Sequence, residues 1–300
     1  IEIIRAEGIA LPLLLPKESM DPFQQEQFAN ILYEYRKGKG MTLDKAMELM
    51  EDQHFYAAMM LRCGFAEGMV SGAAHSTADV MRAVIHCLDI NDRVGLVSSA
   101  FLMGVPECSY GEEGVICFAD CGIIPDPTSA QLARIAVSAA QLFQDIMDKQ
   151  ARVAMLSFST KGSADGVWVD KVRRAVELAK DLKKDFFIDG ELQLDSALVP
   201  EVAALKLKES DVAGKANVLV FPTLDAGNIG YKLTERLGHA RAIGPIILGT
   251  IQPCSDLSRG CSVEDIVDVT AVTVVRAQKR SSGSQNQSIN FDKYYAYSGI

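Results

Sequence analysis

The chain has 300 residues, 48% of them hydrophobic and 23% charged, a globular balance long enough for two domains of roughly 150 residues each. Its net charge of −9 argues against nucleic acid or an anionic membrane as the main partner, although a local arginine cluster can still bind a small anion. The seven cysteines are an odd number at no zinc-ligand spacing, so they read as reduced thiols in a cytoplasm.

In chain order, a first strand is expected at 9–15. A helix follows, with Phe28, Ile31, Leu32 and Tyr35 at i, i+3, i+4 and i+7. Strands are then expected at 66–70, 94–101, 114–119 and 152–157. Val169, Val172, Val176 and Ala179 make a helical apolar stripe, with Asp170, Lys171, Arg173, Arg174 and Glu177 on the wet side. Further strands are expected at 186–189, 217–221 and 243–248. Most are continuous apolar runs, as in "RVAMLSF", which suits parallel strands buried on both faces. The last helix, about 262–280, carries Val263, Ile266, Val267, Val269, Val272, Val274 and Val275 around most of its circumference. It is expected to be buried between layers, near a subunit contact. The tail "SSGSQNQS" from Ser281 reads as a flexible linker, and the aromatic "FDKYYAY" after it as a docking segment. Strands alternating with helices predict α/β layers with parallel sheets. No apolar run reaches the ~18 residues needed to span a bilayer, and no signal peptide is visible. The chain opens at Ile1 without a methionine, so the natural protein is expected to begin earlier.

Several catalytic signatures are absent. There is no Gly-x-x-x-x-Gly-Lys-Ser/Thr, no Gly-x-Gly-x-x-Gly after a strand, and no Gly-x-Ser-x-Gly. His54, His75, His86 and His239 show no metal spacing and read as structural histidines. What remains is a set of loops that follow strands and open helices. In "VSGAAHSTADVMR", Ser76 or Thr77 caps a helix carrying Arg82; a plain cap and an anion site at a helix start are both open. In "SFSTKGSADG", Ser159, Thr160, Lys161 and Ser163 could form a phosphate cradle or a solvated loop. "FPTLDAGNIGYKL" repeats the strand–loop–helix pattern with Asn228 at the turn. In "CSDLSRGCSVED", Ser262 and Asp265 fit a capping box, and Ser258 a turn hydroxyl. Arg259, between Ser and Gly beside a helix start, offers a planar donor fork at an anion site. "DGELQLDSA" gathers Asp189, Glu191 and Asp195, which read as a strand end and helix start, or as a metal site.

Taken together, "VSGAAHSTADVMR", "SFSTKGSADG", "DGELQLDSALVPEVA", "FPTLDAGNIGYKL" and "PCSDLSRGCSVEDI" closely resemble the phosphate acetyltransferases, over about Gln24 to Arg276. The resemblance implies two three-layer α/β/α domains with mostly parallel sheets, like the isocitrate and isopropylmalate dehydrogenases. The active site would lie in the interdomain cleft. The chain would leave the first domain and return to it, giving 1–92 plus 250–300 as one domain and 93–249 as the other. The implied reaction is reversible acetyl transfer between coenzyme A and inorganic phosphate in a direct ternary complex, with CoA as substrate, no cofactor, no metal and a homodimeric assembly.

Position by position, the resemblance makes Asp265 the base for the CoA thiol, Arg259 the group that binds phosphate and polarises the acetyl carbonyl, and Ser258 a hydrogen-bond partner in the transition state. Arg36 and Arg82 would contact anionic groups of CoA, and Cys261 would sit at the site without being required. Ser76, Thr77, Ser159, Thr160, Lys161 and Asn228 complete the expected CoA and phosphate set. Departures are Cys254 and Ser255, where the family has an aliphatic residue and Asn, a short stretch between Leu15 and Pro16, and a tail beyond Arg280 without counterpart. The rival readings are a phosphate butyryltransferase, whose signature reads Ser-Arg-Ala-Asp, a metal- and NAD-dependent decarboxylating dehydrogenase, and a non-catalytic acetyl-CoA-sensing domain.

Overall fold

The computed structural model describes residues 1–92, 94–182, 185–207 and 209–283. Helices α1 (Glu2–Ala6), α2 (Pro22–Arg36), α3 (Leu43–Leu49) and α4 (Gln53–Arg62) precede strand β1 (Met69–Ser71). Then come α5 (Thr77–Cys87), β2 (Ser98–Gly104), β3 (Val115–Ala119), α6 (Ser129–Met147), β4 (Arg152–Leu156) and α7 (Val167–Leu182). The chain continues through β5 (Phe187–Leu192), α8 (Leu194–Leu198), α9 (Pro200–Lys206), β6 (Val218–Val220) and α10 (Leu224–Leu237). It closes with β7 (Arg241–Leu248), β8 (Cys254–Asp256) and α11 (Val263–Gly283).

The strands join in one eight-stranded sheet, ordered β1-β8-β7-β2-β3-β6-β4-β5. The β1–β8 pair and the β3–β6–β4–β5 run are parallel, while β8–β7, β7–β2 and β2–β3 are antiparallel. The sheet is therefore mixed and mostly parallel, as the apolar runs predict. Successive residues of one strand enter different cores. Ala100 and Leu102 join Cys117, Val153 and Val218 in the cluster that α6 and α7 cover. Phe101 and Met103 join Ile116, Ala154 and Leu219 in a cluster on the other face. A third cluster packs α2 to α5 around Phe28, Leu32, Tyr56 and Met59 and takes in Met69, Ile247 and Cys254 from the sheet.

Three expectations change. The run at 9–15 is not a strand: Pro12 lacks an N–H to donate, and Leu11, Leu13 and Leu14 are exposed. Helix α11 buries only Val269, Val272 and Thr273, because one side faces the sheet and Val263 stands in solvent. Its last turn includes Ser281 to Gly283, where a linker is expected; the rest of that tail lies outside the described residues. The three-residue β8 is a strand no pattern predicts.

The loop after β4 is held by two carboxylates of β5. Glu191, 2% exposed, accepts bonds from Ser159 Oγ (3.1 Å), the Gly162 N–H (2.8 Å), Arg173 Nε (3.1 Å) and Arg173 Nη2 (3.2 Å). Lys161 pairs with Asp189 and donates to the Gly190 carbonyl at 2.9 Å. Asp195 pairs with Lys206 (2.9 Å), so the three acids of "DGELQLD" each meet a different cation. Burial pushes the Asp189 and Glu191 carboxyls up, but their hydrogen bonds, led by Lys161 on Asp189 and Arg173 on Glu191, outweigh it and hold both below their ordinary values. A carboxyl depressed in the folded state contributes stability above its unfolded pKa of about 4 and loses it as pH falls through the folded value. Glu191→Gln is expected to cost roughly 2 kcal/mol at neutral pH. It should also flatten the fall in stability on acidification. Denaturant midpoints measured at several pH values check both; an unchanged midpoint at pH 7 refutes this account of the loop.

Candidate active site

At the end of β1 the chain turns through Gly72, and Ser76 caps α5. The Ser76 hydroxyl accepts from the Asp79 N–H (3.3 Å) and donates to Asp79 Oδ2 (2.6 Å), so the cap consumes it. Thr77, next in the chain, donates its hydroxyl to Asp256 Oδ2 at 2.5 Å, across 179 positions of sequence. Burial pushes the Asp256 carboxyl up, against the opposing pull of the Thr77 hydroxyl. His75 lies edge-on to His54, with ring centroids 4.4 Å apart, and His54 is buried with Nδ1 3.2 Å from Asp52 Oδ1.

From Asp256 the chain runs through buried Leu257 to an exposed loop of Ser258, Arg259 and Gly260. The Cys261 N–H donates to the Ser258 carbonyl at 3.0 Å. Helix α11 opens with the expected capping box: the Ser262 N–H donates to Asp265 Oδ2 (2.8 Å), and the Asp265 N–H to Ser262 Oγ (3.1 Å). Arg259 has no ion-pair partner among the described residues, so its guanidinium is available to an anion. Burial, and the Asp265 charge beside it, push the Cys261 thiol up.

These two loops face α10 across a cavity of about 410 Å³. Its walls include His75 and Thr77 on one side, Ser258, Arg259, Cys261 and Asp265 on another, and Asn228, Lys232 and Arg236 on the third. Asn228 lies within α10 rather than at its turn, and donates to the Cys121 carbonyl at 3.1 Å. Gly227 lets α10 sit against the end of β3, because a Cβ there would collide with the Asp120 carbonyl. Phe101 and Tyr231, stacked at 4.2 Å, form an apolar wall. The cavity thus combines an apolar side, four nitrogen-bearing side chains that suit an anion (His75, Lys232, Arg236 and Arg259), and carboxylates at Glu235, Asp256 and Asp265, of which Glu235 lies 3.7 Å from Arg236.

The structure brings together Ser258, Arg259, Asp265, Cys261, Thr77 and Asn228 from the expected set. It keeps others away from the cavity. Ser159, Thr160 and Lys161 are spent inside the loop after β4: Thr160 Oγ1 accepts from the Gln193 N–H (2.9 Å), and the other two serve Glu191 and Asp189. The cradle that the sequence suggests is filled by the protein's own carboxylates. Arg82 is exposed and pairs with Asp79 at 3.3 Å, and Arg36 ends α2; neither lines the cavity, nor does Ser76. The sequence reading overlooks Lys232, Arg236 and His75. The signal for the first two is the spacing 228, 232, 236, which puts Asn, Lys and Arg on one helical face.

Residues 11–274 match the family model described as "Phosphate acetyl/butaryl transferase". The chain is 54% identical over 276 residues to a phosphate acetyltransferase of Thermoanaerobacterium thermosaccharolyticum, covering 91% of this chain and 83% of that one. It is 52% identical over 265 residues to one of Clostridium acetobutylicum, covering 87% and 80%. Among solved structures it resembles a phosphotransacetylase from Streptococcus pyogenes, with a TM-score of 0.80 and 42% identity over 93% of this chain and 83% of that one. With the model spanning most of its length and relatives above half identity, the chain belongs to the phosphate acetyl/butaryl transferase family.

Proposed function

We propose that this protein transfers an acetyl group reversibly between coenzyme A and inorganic phosphate, both substrates being held at once. The observation that carries the reading is one cavity in which Arg259, Lys232 and Arg236 meet the carboxylate of Asp265. A free thiol has a pKa near ~8.5, so little thiolate exists at neutral pH without a base in reach. Asp265 takes the thiol proton and the thiolate sulfur attacks the acetyl carbonyl carbon. The bond from that carbon to the phosphate oxygen breaks, and phosphate leaves with the electron pair. Arg259 holds the phosphate and polarises the carbonyl, and Ser258 hydrogen-bonds the developing charge. The proton returns through phosphate or solvent.

Direct transfer is supported by Cys261, the cysteine that lines the cavity two positions after Arg259. Burial and the Asp265 charge push its thiol up, which disfavours a covalent acetyl-cysteine. Alignment of two bound substrates supplies ~7–11 kcal/mol of barrier reduction, and acetyl phosphate is already activated, so placement counts for more than base strength. The cavity draws on 75–81 and 256–265 as well as 101–247, which supports a site between the two expected domains, 1–92 with 250–300 and 93–249. Homodimerisation is supported by Ile229, Leu233 and Leu237, a stripe of α10 that stays more than half exposed. A reducing compartment such as the cytoplasm suits the free cysteines.

Pure protein given acetyl phosphate and CoA, without NAD or metal, is expected to raise absorbance at the thioester band; no rise overturns the reading. Arg259→Ala should lower kcat by roughly 10²–10³ in the same assay. Asp265→Asn keeps an oxygen that can accept from the Ser262 N–H but is a far poorer proton acceptor. Turnover should therefore fall far more than CoA affinity or melting temperature. Near-normal turnover would show that Asp265 only caps α11. With butyryl phosphate the rate is expected to drop well below that with acetyl phosphate; equal rates would favour the butyryltransferase reading instead.

A further inference from the structure

Asp256 is 1% exposed, belongs to the cavity wall, and has no role in the chemistry derived above. Its Oδ2 accepts the Thr77 hydroxyl at 2.5 Å. Its Oδ1 is buried and has no hydrogen-bond partner. That oxygen fits only because residue 72 is glycine: a Cβ there would collide with Oδ1, and the backbone at Gly72 has φ +110, which side-chain-bearing residues rarely adopt. The carboxylate therefore sits in a slot between the end of β1 and the start of α5. Ser71 and Asp256 are paired in the sheet register, so this slot lies where the two strands end side by side.

Both carboxylate oxygens are covered, one by Thr77 and the other by Gly72, so Asp256 is placed to fix geometry and not to exchange a proton with substrate. Thr77 is the first residue of α5, and Ser258 follows Asp256 by two positions. One hydrogen bond thus ties the start of α5 to the loop that bears Arg259. We infer that Asp256 is a positioning residue for acyl transfer, acting through Thr77 to hold the Ser258–Arg259 loop at a fixed distance from the start of α5. The inference rests on the acyl-transfer reading given above.

The test is a double-mutant cycle on the full chain, assayed by thioester formation, with Thr77→Val, Thr77→Ser, Asp256→Asn and the combination Thr77→Val with Asp256→Asn. Thr77→Val removes the hydroxyl at nearly constant shape and should lower kcat at least about tenfold, because small misplacements near reacting atoms are costly. KM for acetyl phosphate should move less than kcat, since Arg259, Lys232 and Arg236 remain. Thr77→Ser restores the hydroxyl and should return kcat to within about threefold of the wild-type value. The double variant should be no slower than the worse single variant, the signature of two residues acting through one contact. Multiplied losses would mean that Thr77 acts on substrate independently, and unchanged kcat in Thr77→Val would remove the role altogether; either overturns the inference. Should Asp256→Asn fail to fold, Thr77→Val against Thr77→Ser still decides: a kcat loss that serine repairs supports the role, and an equal loss in both refutes it. Wild-type protein that forms no thioester sinks the acyl-transfer reading, whereas active wild type with unaltered variants sinks only the positioning role.

Discussion

The site depends on the seating of β8 between β1 and β7. Those three residues, Cys254 to Asp256, pair in parallel with Met69 to Ser71 and antiparallel with the end of β7. Bringing β1 and β8 together closes the chain over residues 72–253, at a cost of roughly 4–5 kcal/mol of chain entropy. Three paired residues at about 1 kcal/mol per hydrogen bond fall short of it. Helix α11 makes up the difference. It buries Val269 and Val272 at about 2 kcal/mol each and sends Arg276 back to the carbonyls of Cys254 (3.1 Å) and Ile247 (2.9 Å). The same helix carries Asp265 in its first turn, so the element that secures β8 also aims the carboxylate.

Much of the sheet was legible because its strands are apolar on both faces. A run such as "RVAML" can satisfy two cores at once, and in β2, β3, β4 and β6 alternate residues do so. The failures share a cause: local composition does not say what lies alongside. Leucines at 11, 13 and 14 look like a strand, yet no strand pairs with them among the described residues and Pro12 removes a donor. Valines circle α11, yet among the described residues the only buried ones are Val269 and Val272, on the side packed against the sheet and α6. The polar "CSD" of β8 is a strand solely because β1 and β7 flank it.

Part of the candidate site was legible because its residues are close in sequence: Ser258, Arg259 and Asp265, which line one cavity, span one loop and one helical turn. The loop read as a phosphate cradle finds its answering groups about 30 positions later in the chain. Hydroxyls and a lysine in one turn suit an anion, and here the anions are Glu191 and Asp189 on the neighbouring strand. The cavity's other cations were hidden for the opposite reason. Lys232 and Arg236 sit in an ordinary amphipathic helix, and only the packing of Gly227 against the end of β3 turns that face inward.

A further regularity separates what builds the site from what works in it. The Ser76 hydroxyl is taken by Asp79, the Thr77 hydroxyl by Asp256, the Asn228 amide by the Cys121 carbonyl, and one oxygen of Asp265 by the Ser262 N–H. Polar groups that look like ligands in the sequence are used to fix backbone. Arg259 has no ion-pair partner among the described residues, and Lys232 meets only the Tyr231 ring at 5.6 Å. A site that stabilises developing charge needs its dipoles and cations fixed before the substrate arrives, since reorienting them during reaction would cost what they gain. On that ground the cap of α11 and the chemistry proposed for Asp265 are complementary: the oxygen held by Ser262 sets the direction of the other.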